Sequence, residues 1–221
     1  MVLVVSAFFV MSAHAQLGPG EEQPKLLSAS KPIYQKEARD AGIGGEITVR
    51  VMLSEKGEVL SVDEPTGLGK ICDGSSNDPR LVAMRNSMIE AVRQSKFSPG
   101  TQDGKPQKTT FWMTNTFDPT EDDGGEKKLV KVGTITKKAL RMPKPEYPGA
   151  ARAVRASGPV PVRVVVDEKG DVFTAAAIGG HPLLRSAAVA VACDAKFSTT
   201  EIDGKAVRIT GIITYNFVPG R

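Results

Sequence analysis

An internal repeat constrains the fold of this chain more than any other feature of its sequence. The phrase KPIYQKEAR at 31–39 recurs as KPEYPGAAR at 144–152, followed each time by alternating valines and a Glu-Lys-Gly turn. Further on, the triplet KFS stands at 96–98 and again at 196–198. Self-similarity of this kind indicates that one supersecondary unit is built more than once. The aligned identical residues are Lys31, Pro32, Tyr34, Ala38, Arg39, Gly45, Val49, Arg50, Val51, Glu55, Lys56 and Gly57, matching Lys144, Pro145, Tyr147, Ala151, Arg152, Gly158, Val162, Arg163, Val164, Glu168, Lys169 and Gly170.

The repeat also indicates where the domains begin and end. Between the two copies lies DPTEDDGGEKK, which is rich in charge and glycine and poor in apolar side chains, as linkers are. The first copy carries an insertion, TGLGKICDGSSND, that the second copy lacks. We predict a signal peptide at 1–15, a flexible lead-in at 16–30, a first domain at 31–117, a linker at 118–142 and a second domain at 143–219.

The predicted order of elements is the same in both copies. The Pro-x-Tyr phrase begins a short helix, a strand with period-2 alternation follows, and the Glu-Lys-Gly turn reverses the chain into a second strand. An amphipathic helix and a closing strand complete the unit. This helix–strand–strand–helix–strand order predicts an α+β fold, a three-stranded antiparallel sheet with its helices on one face. The predicted bounds are Glu37–Ala41 and Gly149–Ala156 for the first helices, Glu58–Val62 and Asp171–Ile178 for the second strands, and Lys108–Phe117 and Val207–Phe217 for the closing strands.

Two apolar patterns predict the core. Alternate residues of each first strand are aliphatic, and the longer helix carries an apolar stripe at helical spacing. Because proline cannot donate to a strand ladder, we expect the first strand of the second copy to pair only after Pro161, with Pro159 also unpaired. The predicted core positions are Ile47, Val49, Val51, Leu53, Met84, Met88, Ala91, Val92 and Ser95, and in the second copy Val160, Val162, Val164, Val166, Leu184, Ala188, Val191, Ala192 and Ala195.

The first residues are typical of an export signal. MVLVVSAFFVMSAHA has no charged side chain, and its apolar run is shorter than the roughly 20 residues that a spanning helix needs. Ala13 and Ala15 supply the small side chains that signal peptidase requires, so we predict cleavage between Ala15 and Gln16. Because no Lys or Arg precedes the apolar run, two alternatives stay open: a start codon further upstream, or the remnant of a membrane anchor.

Few residues suit catalysis, metal binding or nucleic-acid binding. The histidines are His14 and His181, and His181 precedes Pro182 where a helix is predicted to begin, so we interpret it as a helix N-terminal residue. The acidic triplet at 121–123 is typical of a solvated linker. We therefore predict no enzyme activity, no cofactor and no metal site. The net charge of +4 is mild and its basic residues are scattered, which does not indicate nucleic acid as a partner.

The two cysteines, Cys72 and Cys193, could form a disulfide in an exported protein. Cys72 lies in the polar insertion of the first copy and Cys193 on a predicted helix of the second, so a bridge would join the halves. The sequence does not show that their Cα atoms come close enough. We expect free or intermolecularly paired thiols.

Four motifs, in the same order in both copies, resemble the C-terminal domain of the TonB energy-transducer family. KPIYQKEAR and KPEYPGAAR are similar to the family's Pro-x-Tyr-Pro-x-x-Ala opening, and GGEITVRVMLSEKGEV and GPVPVRVVVDEKGDV to its hairpin. AVRQSKFSPG and AVACDAKFST are similar to its helix end, and GKPQKTTFWMTNTF and GKAVRITGIITYNF to its last strand. The chain departs from the family pattern at Gln35, which replaces a proline, and at Ser95 and Ala195, which replace a tryptophan.

The resemblance implies a periplasmic, non-enzymatic binding protein of energy-coupled transport, without the family's membrane anchor unless the start codon lies upstream. The edge beside each closing strand would pair by β-augmentation with a peptide segment of outer-membrane TonB-dependent transporters. The two tyrosines would lie near that edge, although each could instead only hold its first helix on the sheet. Inner-membrane proton-channel proteins, peptidoglycan or a second copy of the chain are further candidate partners. The alternative function is a cell-envelope structural or peptidoglycan-binding module without energy transduction. The implied partner-binding residues are Tyr34, Pro145, Tyr147, Thr110, Trp112, Thr114, Arg208, Thr210, Ile212 and Thr214.

Overall fold

The computed structural model describes residues 10–12, 19–67, 69–73, 78–119 and 129–218. The predicted cleavage site between Ala15 and Gln16 lies outside these residues. In the described part of the chain, no helix combines the length and the apolar character needed to cross a membrane.

Short strands outnumber helices among the described residues. The helices are α1 (Lys36–Asp40), α2 (Pro79–Gln94), α3 (Gly149–Ala153) and α4 (Pro182–Ala192), with a 3-10 turn at Thr136–Lys138. The strands are β1 (Val10–Ser12), β2 (Glu21–Glu22), β3 (Leu26–Ser28), β4 (Gly45–Leu53), β5 (Val59–Gly67), β6 (Lys70–Ile71), β7 (Lys96–Phe97), β8 (Gly100–Gln102), β9 (Lys105–Gln107), β10 (Thr109–Phe117), β11 (Val130–Thr134), β12 (Ala139–Arg141), β13 (Gly158–Val166), β14 (Val172–Ala177), β15 (Lys196–Phe197), β16 (Glu201–Ile202), β17 (Lys205–Ala206) and β18 (Ile209–Phe217).

The chain divides into two compact units that do not follow the repeat strictly. Two segments of the first repeat belong to unit 2, and one of them contains α1. Gly42, at φ +71°, leaves room for the side chain of Val165, and the Thr174 hydroxyl donates to the Gly42 carbonyl at 3.1 Å. The predicted domain bounds, 31–117 and 143–219, stay predictions. Unit 1 comprises Met1–Gln35, Glu46–Gly67 and Pro79–Phe117, and unit 2 comprises Lys36–Gly45, Leu68–Asp78 and Asp118–Arg221.

The main sheet of unit 1 has the strand order β1-β10-β4-β5, and α2 packs against β5. Strand β4 alternates as predicted, because its inward-facing aliphatic residues have no exposed surface while their neighbours remain partly accessible. The predicted apolar face of α2 is likewise buried. The confirmed core positions are Ile47, Val49, Val51, Leu53, Met84, Met88, Ala91, Val92 and Ser95.

The main sheet of unit 2 has the order β11-β18-β13-β14-β6, in which β11 runs parallel to β18 and the other neighbours are antiparallel. Helix α4 begins as predicted: His181 is its N-cap, the His181 Nδ1 accepts from the Leu183 amide at 3.3 Å, and Pro182 follows at the first position. Val191 is only partly buried. The confirmed core positions are Val160, Val162, Val164, Val166, Leu184, Ala188, Ala192 and Ala195.

The prediction of three-stranded sheets was wrong, because each sheet has further strands from its own chain. Strand β1 adds to unit 1, while β11 and β6 add to opposite edges of unit 2. An edge strand presents unpaired N–H and C=O groups, so any nearby extended segment can extend the sheet. The stretches predicted to be a flexible lead-in and a linker also form strands: 16–30 contains β2 and β3, and 118–142 contains β11 and β12. Of these four strands, β11 belongs to a main sheet, while the others form small separate sheets.

The expectation that the prolines delay pairing of β13 was also wrong on one side of the strand. Pairing with β18 begins at Gly158 and includes Pro159 and Pro161. On the other side, the register with β14 begins only at Val162, and the Pro161 carbonyl accepts from Ile178. Because these prolines face the β14 side where that strand has ended, their missing N–H groups cost the β18 ladder nothing.

The Glu-Lys-Gly turns have matching hydrogen bonds in the two units. The Ser54 hydroxyl accepts from the amides of Lys56 and Glu58 at 3.1 and 3.2 Å. In the other turn, one carboxylate oxygen of Asp167 accepts from Lys169 and Asp171, both at 2.9 Å. A side-chain acceptor in front of the turn therefore fixes both reversals.

The two cysteines are bonded to each other, which corrects the expectation of free thiols. Cys72 and Cys193 have Cα atoms 5.1 Å apart, within the range that a disulfide bridges. The reason is that the insertion of the first repeat belongs to unit 2: β6 pairs with β14, and the Cys72 amide donates to the Phe173 carbonyl at 2.9 Å. The disulfide thus joins this insertion to the end of α4.

Candidate binding edges

The closing strand of unit 1, β10, has a core face and an outer face. Phe111, Met113, Asn115 and Phe117 are buried, while the residues between them are partly or fully accessible. Beside β10, on the side away from β4, the backbone of β1 pairs antiparallel with it, opposite 112–114. The edge predicted to take a partner is therefore occupied over three residues by a segment of the predicted signal peptide.

The closing strand of unit 2, β18, is covered by a parallel strand, β11. The Val130 amide donates to the Arg208 carbonyl at 3.2 Å, and the Ile135 amide donates to the Ile212 carbonyl at 3.1 Å. The chain then turns onto the core face of the sheet, where Ile135 is 1% exposed. A Cβ placed on Gly211 would lie only 2.5 Å from the Ile135 Cγ2 atom. The glycine is therefore the feature of β18 that admits this side chain.

The predicted partner-binding residues of β10 share its outer face. Thr110 is exposed, and Trp112 and Thr114 are partly accessible. Thr114 is held by the hydroxyl of Thr48 on β4, at 2.8 Å. Trp112 lies opposite Ser12 of β1 and is the only tryptophan in the chain. Their role in binding stays a prediction, and Trp112 offers a spectroscopic signal at this edge.

The predicted residues of β18 have different surroundings. The guanidinium of Arg208 lies 5.1 Å from the centroid of the Phe173 ring, and its Nε atom lies 4.0 Å from a carboxylate oxygen of Glu168. Thr210 is 2% exposed and its hydroxyl donates to the Val164 carbonyl at 3.1 Å. Ile212 is partly buried beside β11, whereas Thr214 is exposed. Of these four residues, only Thr214 presents an accessible side chain beyond the part of β18 that β11 covers.

The tyrosines of the two Pro-x-Tyr phrases pack on the last residue of the closing strands. The ring of Tyr34 makes an edge contact with Phe117 at 5.2 Å, and that of Tyr147 makes one with Phe217 at 6.0 Å. The Tyr147 hydroxyl donates to the Ala156 carbonyl, which fixes the segment around α3. Pro145, next to it, is partly buried. For Tyr147 this arrangement favours a structural role, because its hydroxyl is already engaged.

The opposite sheet edges are protected in other ways. Strand β5 extends to Gly67, further than the predicted end at Val62, and its register with β4 shifts around Pro65. A proline and a bulge in an edge strand discourage pairing with another chain. In unit 2 the corresponding edge is taken by β6. Neither of these opposite edges is therefore a better candidate for a partner strand than the closing strands.

Strand β18 also carries a buried tyrosine hydroxyl on its core face, away from the strand that covers its edge. Tyr215 on β18 is 4% exposed, and its hydroxyl has no hydrogen-bond partner among the described residues. Burial raises its pKa from 10.0 to about 12, and the negative charge of Asp194 acts in the same direction. The ionised form is therefore disfavoured in the folded protein.

We expect the stability of unit 2 to fall as the pH rises from about 10 towards 12, by about 1–2 kcal/mol. A tyrosine whose pKa is raised in the folded state stabilises the protein at pH values below its ordinary pKa. This stabilisation is lost as the tyrosine ionises at higher pH. Tyr215→Phe should remove this fall and be neutral at pH 7, since it breaks no hydrogen bond. Urea denaturation at pH 7 and pH 11 measures both the alkaline fall in stability and the effect of the substitution at pH 7. Tyr147→Phe, the control, should cost about 1 kcal/mol at pH 7 and keep the alkaline fall; identical alkaline slopes in wild type and Tyr215→Phe would contradict the assignment.

Sequence reasoning missed the covering of both edges of the unit 2 sheet. A signal for β11 exists in the sequence, because Val130 and Val132 alternate within the stretch predicted to be a linker. A second signal is Gly211, which takes the place of Phe111 when the two KFS triplets are aligned. No comparable pattern marks β6, which has only two residues.

The comparisons with known proteins identify the family. The family described as Gram-negative bacterial TonB protein C-terminal matches residues 30–119 and 143–219. Searches of curated proteins and of solved structures find no match. The two matched stretches cover well over half of the 221 residues, and mixed helices with mostly antiparallel sheets are consistent with such a domain. The chain therefore belongs to the TonB C-terminal domain family.

Proposed function

We propose that this chain is an exported cell-envelope protein with two tandem TonB C-terminal domains, acting in energy-coupled transport. A closing-strand edge would bind an extended peptide segment of an outer-membrane TonB-dependent transporter. Membership of the family supports a role in the envelope and in such transport, since the family comprises binding and energy-transducing domains rather than enzymes. The interaction requires no cofactor and no bond-breaking step.

One observation carries the proposal: both closing strands hold an additional extended segment. Strand β10 pairs antiparallel with β1, and β18 pairs parallel with β11. Each edge therefore presents backbone groups in a geometry that accepts a strand, and the two examples differ in direction. In β-augmentation the main-chain bonds supply affinity and alternate side chains supply selectivity. Trp112 and Thr114 are the side chains beside the β10 edge suited to that second task.

Export would change the occupancy of the β10 edge. The predicted cleavage before Gln16 removes the residues of β1, Val10–Ser12, from the mature chain. The edge of β10 would then lack the strand that covers it in the precursor. Maturation and availability of the site are therefore coupled, and N-terminal mass analysis of the exported protein tests the cleavage itself.

The test is a titration of the exported protein with a synthetic peptide taken from the periplasmic N-terminal segment of a TonB-dependent transporter. We expect a saturable change in the fluorescence of Trp112 and slower amide exchange in β10. A matched peptide with prolines at alternate positions cannot complete the ladder. Losing two backbone bonds, each worth about 0.5–1.5 kcal/mol, should weaken its binding about fivefold or more.

The alternative is a structural or peptidoglycan-binding module. It predicts that the exported protein sediments with purified sacculi and that the transporter peptide changes neither sedimentation nor Trp112 fluorescence. Equal binding of the proline-substituted and unsubstituted peptides would also contradict strand pairing, because side-chain contacts alone would then explain the affinity.

A further inference from the structure

We infer that the two closing-strand edges are unequal: a covering segment, residues 130–135, closes the edge of β18, and an incoming peptide is taken by β10. This inference rests on the proposed function, since it states which copy of the site is available. The covering segment comprises β11 and Ile135, and it is part of the second unit rather than a spacer.

The covering segment is built into the core of unit 2. Val130 and Val132 pack against the apolar cluster of that unit, and Ile135 belongs to it. Ile135 lies over Gly211, the glycine that leaves space for it on the core face of β18. A segment that only rested on the edge would pair through its backbone without placing a side chain in the core.

Unit 1 fills the corresponding position from within β10 itself. When the KFS triplets are aligned, Gly211 corresponds to Phe111, which is 3% exposed and lies 5.5 Å from the Phe97 ring in an edge contact. At this position β10 therefore supplies the core side chain itself. The core position on β18 is a glycine, and the covering segment fills the space with Ile135. The corresponding position on β10 is a phenylalanine, which fills the space itself.

Displacing the covering segment is therefore costly, whereas the predicted cleavage before Gln16 removes β1 from the exported protein. Removing a buried isoleucine side chain from a core lowers stability by an amount equivalent to about 30-fold or more in an equilibrium constant. A peptide that replaces β11 must overcome this factor, together with the hydrogen bonds at Arg208 and Ile212. Strand β1 pairs over three residues in the part of the chain that the structure describes, and it lies in the predicted signal peptide. The same peptide should therefore bind β10 at least about 30-fold more tightly than β18.

Gly133 allows a test that leaves the core side chains untouched. It adopts φ +66° where the register of β11 shifts, and a Cβ there would meet nothing within 4 Å. Gly133→Ala therefore strains only the backbone of the covering segment. This strain should shift the equilibrium between the paired and the displaced segment by about 5- to 30-fold towards the displaced state. Gly204→Ala is the matched control, because Gly204 has φ +73°, equally free space and a position in the β16–β17 hairpin.

The experiment follows amide exchange in the exported wild-type protein, Gly133→Ala, Ile135→Ala and Gly204→Ala, with and without the transporter peptide. The amides of Thr210 and Ile212 report on the covering segment, since they lie on the side of β18 whose carbonyls accept from it. We expect their exchange to accelerate by about 5- to 30-fold in Gly133→Ala and at least as much in Ile135→Ala, but not in Gly204→Ala. The peptide should protect β10 in the wild type and both strands in the first two variants.

Two results would overturn the inference. One is peptide protection of β18 in the wild type at the same concentration as β10. The other is unchanged Thr210 and Ile212 exchange in Gly133→Ala relative to Gly204→Ala. If the peptide protects neither strand in any variant, the proposed function fails, yet the exchange rates without peptide still decide whether the covering segment closes the edge of β18.

Discussion

Breaking the Cys72–Cys193 disulfide should lower the free energy of unfolding of unit 2 by about 2–4 kcal/mol. The two cysteines are 121 residues apart in the sequence, so the bridge restricts a long stretch of the unfolded chain. In the folded state it also fixes the short strand β6, whose two residues pair with Thr174 and Ala175 at the edge of β14. Chemical denaturation with and without a dithiol reductant measures the loss.

Serine substitutions provide the control for this measurement. Cys72→Ser and Cys193→Ser should each reproduce the stability of the reduced wild type, and the double variant should not respond to reductant. Amides of β14 that face β6 should exchange faster in all of them. Mass analysis should first show that the reduced protein carries two free thiols. If that protein kept the full stability of the oxidised protein, the disulfide would not stabilise unit 2.

The buried faces of the inner strands and of the longer helices could be predicted from the sequence. Alternating aliphatic residues such as Val49 and Val51 indicated the buried face of β4 correctly, because strand geometry places every second side chain on one face whatever the neighbouring strands are. The same holds for Met84 and Met88 on α2 at helical spacing. Local periodicity therefore gave the inner strands and the helices that pack on them.

The outer strands could not be predicted in this way, because pairing at an edge depends on which distant segment comes within reach. The insertion containing Cys72 has no apolar periodicity, yet it belongs to unit 2 and closes an edge there. The charged residues in front of Val130 predict a linker there, although Val130 and Val132 alternate as in a strand. The resemblance to the family thus implied the candidate binding strands, but the covering of their edges follows from long-range backbone pairing.

The recurrence of the Glu-Lys-Gly turn together with KFS has a direct physical reason. A Cβ on Gly57 would collide with the carbonyl oxygen of Phe97, and a Cβ on Gly170 with that of Phe197. The Phe197 amide also donates to the Gly170 carbonyl at 2.9 Å. In each unit the turn glycine thus lies against the backbone of the phenylalanine that follows the longer helix, and both phenylalanines are buried. The two motifs recur as a pair because they touch.

Gly57→Ala and Gly170→Ala should therefore each destabilise their unit by about 2–5 kcal/mol. A left-handed backbone, at φ +81° and +87°, costs an L-residue about 1–2 kcal/mol, and forcing a methyl group against a backbone carbonyl adds about 1–3 kcal/mol. Gly104→Ala and Gly204→Ala separate the two contributions, because these hairpin glycines have φ +75° and +73° with open space around the Cβ. In urea denaturation these two variants should show only the cost of the left-handed backbone. Equal losses at Gly170 and Gly204 would mean that the turn can move away from Phe197, and that contact between the motifs does not account for their joint recurrence.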